Sequence, residues 1–119
     1  MKRILPALLV LLLAACQSTP TPPNETLVSG DALTTLIVGK AVHFADNNAV
    51  ASYFADGRYE YAGSNGRFSG TYVVTSNTVC VTFTTGRVRC GKFATAGTDY
   101  WLVATDDGSR FKVSSITAI

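Results

Sequence analysis

The chain has 119 residues, of which 47% are hydrophobic, and its 10 Lys and Arg stand against 8 Asp and Glu for a formal net charge of +2. That length holds one small domain and not two. So slight an excess of charge makes no extended field for a polyanion, which sets nucleic acid aside as a partner.

The N-terminus has the order of an export signal. Lys2 and Arg3 precede an apolar run from Ile4 to Leu13, broken by Pro6, and the small residues Ala14 and Ala15 lead to Cys16. A charged start, an apolar stretch and small residues are what the export machinery reads. The run is shorter than the ~20 residues needed to cross a bilayer. Leu13-Ala14-Ala15-Cys16 resembles the lipobox of bacterial lipoproteins. That resemblance implies a signal peptide over residues 1–15, cleavage before Cys16, a diacylglycerol thioether on Cys16 and acylation (palmitate or similar) of the new amino group. Two or more acyl chains hold a protein to a membrane stably, where one does so only marginally. In the enterobacterial pattern, Asp after the cysteine retains a lipoprotein at the inner membrane. Here Gln17 follows, which implies the outer membrane, facing the periplasm in a diderm host, or otherwise the cell surface. Loss of Lys2 and Arg3 leaves a mature chain balanced in charge.

Residues 16–29 read as the lipidated cysteine and a linker. Pro20, Pro22 and Pro23 lie among small polar residues with little to bury. Such a segment favours extended polyproline geometry and acts as a spacer. Its prolines argue against pairing as an edge strand, because proline donates no ladder hydrogen bond.

Residues 30–119 read as a single β domain. Asp31 to Gly39 is expected to form a short helix, with Asp31 capping its start, Gly39 its end, and Leu33, Leu36 and Ile37 on its buried face. Strands are expected at 41–44, 49–54, 58–62, 67–75, 78–83, 87–93, 98–104 and 109–115. Asp56-Gly57, Asn65-Gly66, Gly86 and Asp107-Gly108 punctuate them as hairpin turns. In Arg58-Tyr59-Glu60-Tyr61 the charges take one face and the rings the other, and Phe68, Gly70, Tyr72 and Val74 share a face. The fold class is therefore mainly β: an antiparallel meander of about eight strands, curled or closed into a small barrel. A hairpin centred on Thr85 sets Thr82 opposite Val88 and Cys80 opposite Cys90. An exported protein meets an oxidising compartment, so these cysteines are expected to form a disulfide. Their spacing does not suit a redox or metal pair.

The runs LTTLIVGKAV, SYFADGRYEY and RFSGTYVVTSNTVC, with a second cysteine ten positions later, resemble a proteobacterial family of small exported proteins with a domain of unknown function. The resemblance covers about Ala32 to Lys112. Val42 and Tyr72 stand where that family tends to have Trp. It implies a leading helix and a cysteine pair, and it offers no catalytic residues to carry over.

The search for chemistry yields little. His43, the one histidine, alternates with Val42 and Phe44 and reads as structural or solvent-facing; a Gly-x-Ser-x-Gly elbow is lacking. Most acids fall in turns, and none has the spacing of a calcium loop. No catalytic residue, metal or cofactor is expected. Arg87, Arg89 and Lys92 around Cys90 read as a basic ridge, able to meet lipopolysaccharide phosphates, peptidoglycan carboxylates or an acidic cleft in an envelope protein. The preferred reading is plainer: solvated gatekeepers against edge pairing. Of Tyr100 and Trp101, one faces outward and can stack on a sugar or a partner. The leading expectation is a lipid-anchored, non-enzymatic binding or structural module. The alternative is an inhibitor of a lysozyme or protease acting through the Thr84–Arg89 hairpin.

Overall fold

The computed structural model describes residues 24–119; the signal segment, Cys16 and the linker through residue 23 lie outside the described residues. In chain order the elements are β1 (Thr26–Leu27), α1 (Asp31–Ile37), β2 (Lys40–Phe44), β3 (Val50–Tyr53), β4 (Arg58–Gly63), β5 (Gly66–Val74), β6 (Val79–Phe83), β7 (Val88–Ala96), β8 (Asp99–Ala104) and β9 (Arg110–Ala118). From β2 to β9 each strand pairs antiparallel with the next, and β9 returns to pair with β2. The expected meander is thus a closed up-and-down barrel of eight strands, in which every strand has a partner on both sides.

Period-two alternation fills the barrel. Val42, Ala51, Tyr53, Tyr59, Tyr72, Val81 and Phe93 point inward and are buried. Glu60, Thr82 and Lys92 take the opposite faces of their strands. This is the inverse of a membrane-spanning barrel, whose apolar band faces outward. Gly70 serves a close approach: a Cβ there would lie 2.9 Å from Phe83 Cα and run into the Thr82 carbonyl. Strand β5 can therefore bend against β6 only with glycine at this point.

One end of the barrel is plugged. Leu33 and Ile37, one turn apart on α1, are completely buried against the core. Leu36 packs beside them, half-buried. The helix begins differently from the expectation. Gly30 (φ 61°) holds the N-cap position without a side-chain hydrogen bond, and Asp31 falls in the first turn. There its carboxylate meets the positive end of the helix dipole without capping it. Gly39 (φ 76°) turns the chain into β2, and its N–H donates to the Tyr53 carbonyl at 2.7 Å.

The linker also departs from expectation. Thr26 and Leu27 pair with Thr95 and Ala94 of β7, and the Val28 N–H donates to the Phe93 carbonyl at 2.8 Å. Glu25 forms an ion pair with Arg110, and both side chains are largely buried. The spacer therefore docks from Glu25 onward instead of running free to Ser29. The physical reason is local. The prolines stop at Pro23, so the residues after it can donate. Strand β7 pairs with β6 only as far as Gly91, which leaves an edge for β1 to cover.

The hairpin register is as read from the sequence. Cys80 faces Cys90 and Thr82 faces Val88. The Phe83 N–H donates to the Arg87 carbonyl at 2.8 Å across a turn in which Gly86 has φ 93°. The two cysteines are joined as a disulfide with their Cα atoms 4.0 Å apart. Since Val79 and Val81 face inward, the bridge lies on the outside of the wall.

Candidate functional site at the open end of the barrel

In an up-and-down barrel, alternate turns gather at the same end. Here the β2–β3, β4–β5, β6–β7 and β8–β9 turns ring the end opposite α1. Within that ring a cavity of about 930 Å³ opens to solvent. Small-molecule sites occupy roughly 300–1,000 Å³. On this wall Gly91 of β7 pairs with Val79 on one side and Ala104 on the other. The Leu102 side chain lies over it, where a Cβ would come within 2.8 Å of Leu102 Cδ1.

Aromatic rings line the cup from floor to lip. Tyr53 sits at the floor, edge-to-face with Tyr59 at 5.2 Å, Tyr72 at 5.1 Å and Phe93 at 6.4 Å. Tyr59 continues to Phe83 at 5.8 Å, and Phe83 to Phe68 at 6.4 Å. Across the mouth, Phe44 and Phe111 make another edge-to-face pair at 6.4 Å. Quadrupole attraction favours this tilted packing over parallel stacking. Towards the lip the rings lose their cover, so that Phe68 is 44% and Phe111 39% exposed. Exposed rings at a concave mouth mark a recognition surface better than scattered surface residues do.

The polar lining is biased in sign. Arg67, Arg87 and Arg89 line the cavity, with Asp46 as the one acid in the lining; Lys112 borders it but turns its ammonium outward, to Trp101 and Asp99. Arg89 pairs with Val81 in the ladder and so shares its inward face. Its guanidinium reaches Asp106 at 3.8 Å, and its side chain keeps 37% exposure. Burial, with the neighbouring Tyr61 adding to it, holds the Tyr59 hydroxyl far above the ordinary tyrosine range, while the Arg89 charge pulls the other way. Tyr53 is pushed up for the same reason, burial first and the adjacent tyrosines second. Both phenols are therefore neutral hydrogen-bonding groups near neutrality.

The sequence-predicted basic ridge is not one surface. Arg87, at the hairpin tip, and Arg89 line the cavity. Lys92 lies on the opposite face of β7, across from Val103. Strand alternation separates an even-numbered residue from two odd-numbered ones, and grouping by sequence proximity obscured that. Trp101 is the outward member of its pair, and Tyr100 packs against the core. The indole is already in use: the Arg110 guanidinium lies 5.1 Å and the Lys112 ammonium 5.9 Å from its centroid. It is a support for the Glu25–Arg110 pair and not a free stacking platform.

The remaining candidates take structural positions. His43 Nε2 lies 3.0 Å from Thr117 Oγ1. Asp56 accepts hydrogen bonds from the Arg58 backbone N–H at 3.1 Å and side chain at 2.9 Å, which hold its carboxyl below the usual range. Asp107 accepts the Ser109 N–H at 2.9 Å. Among the described residues no three metal-ligating side chains converge. Among the described residues, too, no helix is long and apolar enough to cross a membrane.

The aromatic cup was the feature that sequence reading missed. Its signal was present in the register: the alternation that puts Val79, Val81 and Phe83 inside also puts Arg89, Gly91 and Phe93 inside. No protein-family model matches the chain, and neither a curated protein nor a solved structure is significantly similar to it.

Proposed function

We propose that this chain is a lipid-anchored, non-enzymatic carrier or receptor that takes a small molecule into the open end of its barrel. The observation that carries the reading is the cavity itself: about 930 Å³, walled by aromatic rings and rimmed by arginines, in a barrel whose other end is plugged. A domain built only as a scaffold gains stability by filling such a space, since interiors pack at crystal-like density. The anchor part of the proposal rests on the lipobox-like Leu13-Ala14-Ala15-Cys16, with the outer membrane as the expected address and the periplasm as the expected side. The resemblance to the exported proteobacterial family fits that address and names no ligand.

The test is recovery of a bound molecule from protein purified out of its own membrane. Phe68→Glu supplies the control. Phe68 is half-exposed at the lip, so a carboxylate there stays hydrated, and the fold survives while the apolar wall is interrupted. Native mass spectrometry is expected to show a small-molecule adduct on the parent chain and none on the variant. Equal adducts on both, or none on either, would contradict the carrier reading. Cys16→Ser should move the chain out of the membrane fraction; unchanged fractionation would remove the anchor from the proposal.

A further inference from the structure

The cup has chemistry as well as volume, and the chemistry points to a class of ligand. Resting on the carrier reading above, we infer that the site selects a small organic acid with a flat, apolar body, held with its carboxylate at Arg89 and its body between the Phe68–Phe83 and Phe44–Phe111 walls. Three observations on different residues converge on this.

The first is the shape of the walls. The Phe68–Phe83 and Phe44–Phe111 pairs both line the cavity, and ring edges and faces take up a planar partner with a gain beyond area burial. The second is the sign of the polar groups. Three arginines line the cavity against Asp46 in the lining and Asp106 beside Arg89, although the domain as a whole is near balance. Charge concentrated at the mouth of an apolar cup raises the local concentration of anions and rejects cations. The third is the position of Arg89. It is the cation whose strand register turns it inward, two residues below the hairpin tip. Its one acidic partner, Asp106, is held at only 3.8 Å and is well exposed. A guanidinium presents a fork that matches a carboxylate bidentately. So loose a surface pair is weak, and a carboxylate entering the cup can displace it without leaving a buried charge behind. Tyr59 lines the same cavity, and the Arg89 charge acts on its hydroxyl. Being neutral, it can donate to the second carboxylate oxygen without repelling it.

The experiment separates charge selection from cup binding. The lipidated full chain is reconstituted in nanodiscs and titrated calorimetrically with three probes that share one aromatic body: 1-naphthaleneacetate, its isosteric neutral amide, and 1-naphthylmethylammonium. Empty nanodiscs provide the blank. The acid is expected to bind at least about tenfold more tightly than the amide, since hydrogen bonds to charged groups are the stronger kind. The ammonium probe is expected not to bind. In Arg89→Gln the preference for the acid over the amide should be lost. Arg89→Lys should keep part of the preference for the acid, because the charge remains and the fork is lost. Circular dichroism checks that each variant is folded. Added salt should weaken the acid and spare the amide in the parent chain, which gives a reading that needs no variant. Acid and amide binding equally in the parent would overturn the anion selection and leave the cup in place. An acid preference undiminished in a folded Arg89→Gln would overturn the assignment to Arg89. Binding of neither acid nor amide would overturn the carrier reading itself.

Discussion

The two ends of this barrel are built from the same strands and serve opposite purposes. At the plugged end, Leu33 and Ile37 are wholly buried, and Tyr53, Tyr72 and Phe93 close the packing beneath them. At the open end, the same alternation carries on upward, but Phe68 and Phe111 face solvent and three arginines line the gap. The difference teaches that inward orientation on a strand is not the same as burial. Whether an inward ring is core or lining depends on what fills the space across from it, and here a helix fills one end only. Stability should therefore be concentrated below the floor tyrosines and recognition above them.

Removal of the plug should break the molecule most severely. Leu33→Ala or Ile37→Ala deletes a fully buried side chain, and such truncations cost about 2–5 kcal/mol. Urea unfolding should show this as a lower midpoint; a shift no larger than that of a surface variant would refute the plug. Alkali should act on the floor. Tyr53 and Tyr59 have folded-state pKa values raised by burial above the ordinary 10.0. Below that pH both are neutral whether folded or not. Above it the unfolded chain ionises first, so the stability held by the buried neutral phenols is lost as pH rises further. Urea midpoints measured across that range should fall, and Tyr53→Phe should blunt the fall; a pH-independent midpoint would contradict the buried floor.

Opening the disulfide by the paired Cys80→Ser and Cys90→Ser change is expected to cost about 2–3 kcal/mol, because the loop it closes is short. Reduction should give the same loss by denaturant titration. Glu25→Gln should cost about 1–2 kcal/mol, since it removes the partner of an Arg110 side chain only 7% exposed. It should also raise hydrogen exchange at the amides of residues 26–28, which report β1 docking. The smallest expected change in stability is at the open end. Phe68→Ala should cost under about 1 kcal/mol, since the ring is half-exposed. The same change should weaken ligand binding. Large stability losses on both sides of the molecule would erase the distinction between the ends.

Much of the wall was legible in the sequence, for reasons that are local. Asn65-Gly66, Asp107-Gly108 and the Gly86 loop each demand a turn, and the strands between them alternate. The Cys80–Cys90 register followed from loop length alone. Closure was less legible, because β9 meets β2 across most of the chain and no local residue encodes that pairing. Strand β1 was obscured by its neighbours. The prolines that precede it give the whole segment a linker composition, yet only Glu25 to Val28 do the docking. At the site, Arg87 and Arg89 were found as residues but placed on the wrong surface. The cavity itself depends on α1 filling one end and not the other, and on which inward side chains meet across the closed wall. Neither is a property of any short stretch of sequence.

The most direct test of the division between the ends is a two-dimensional amide NMR titration of the intact protein with 1-naphthaleneacetate. The account predicts saturable shifts at Phe68, Phe83, Arg87, Arg89 and Phe111, with Leu33 to Val38 and Thr26 to Val28 unmoved. Shifts centred on the helix, or spread evenly over the outer wall around Lys92 and Trp101, would contradict it.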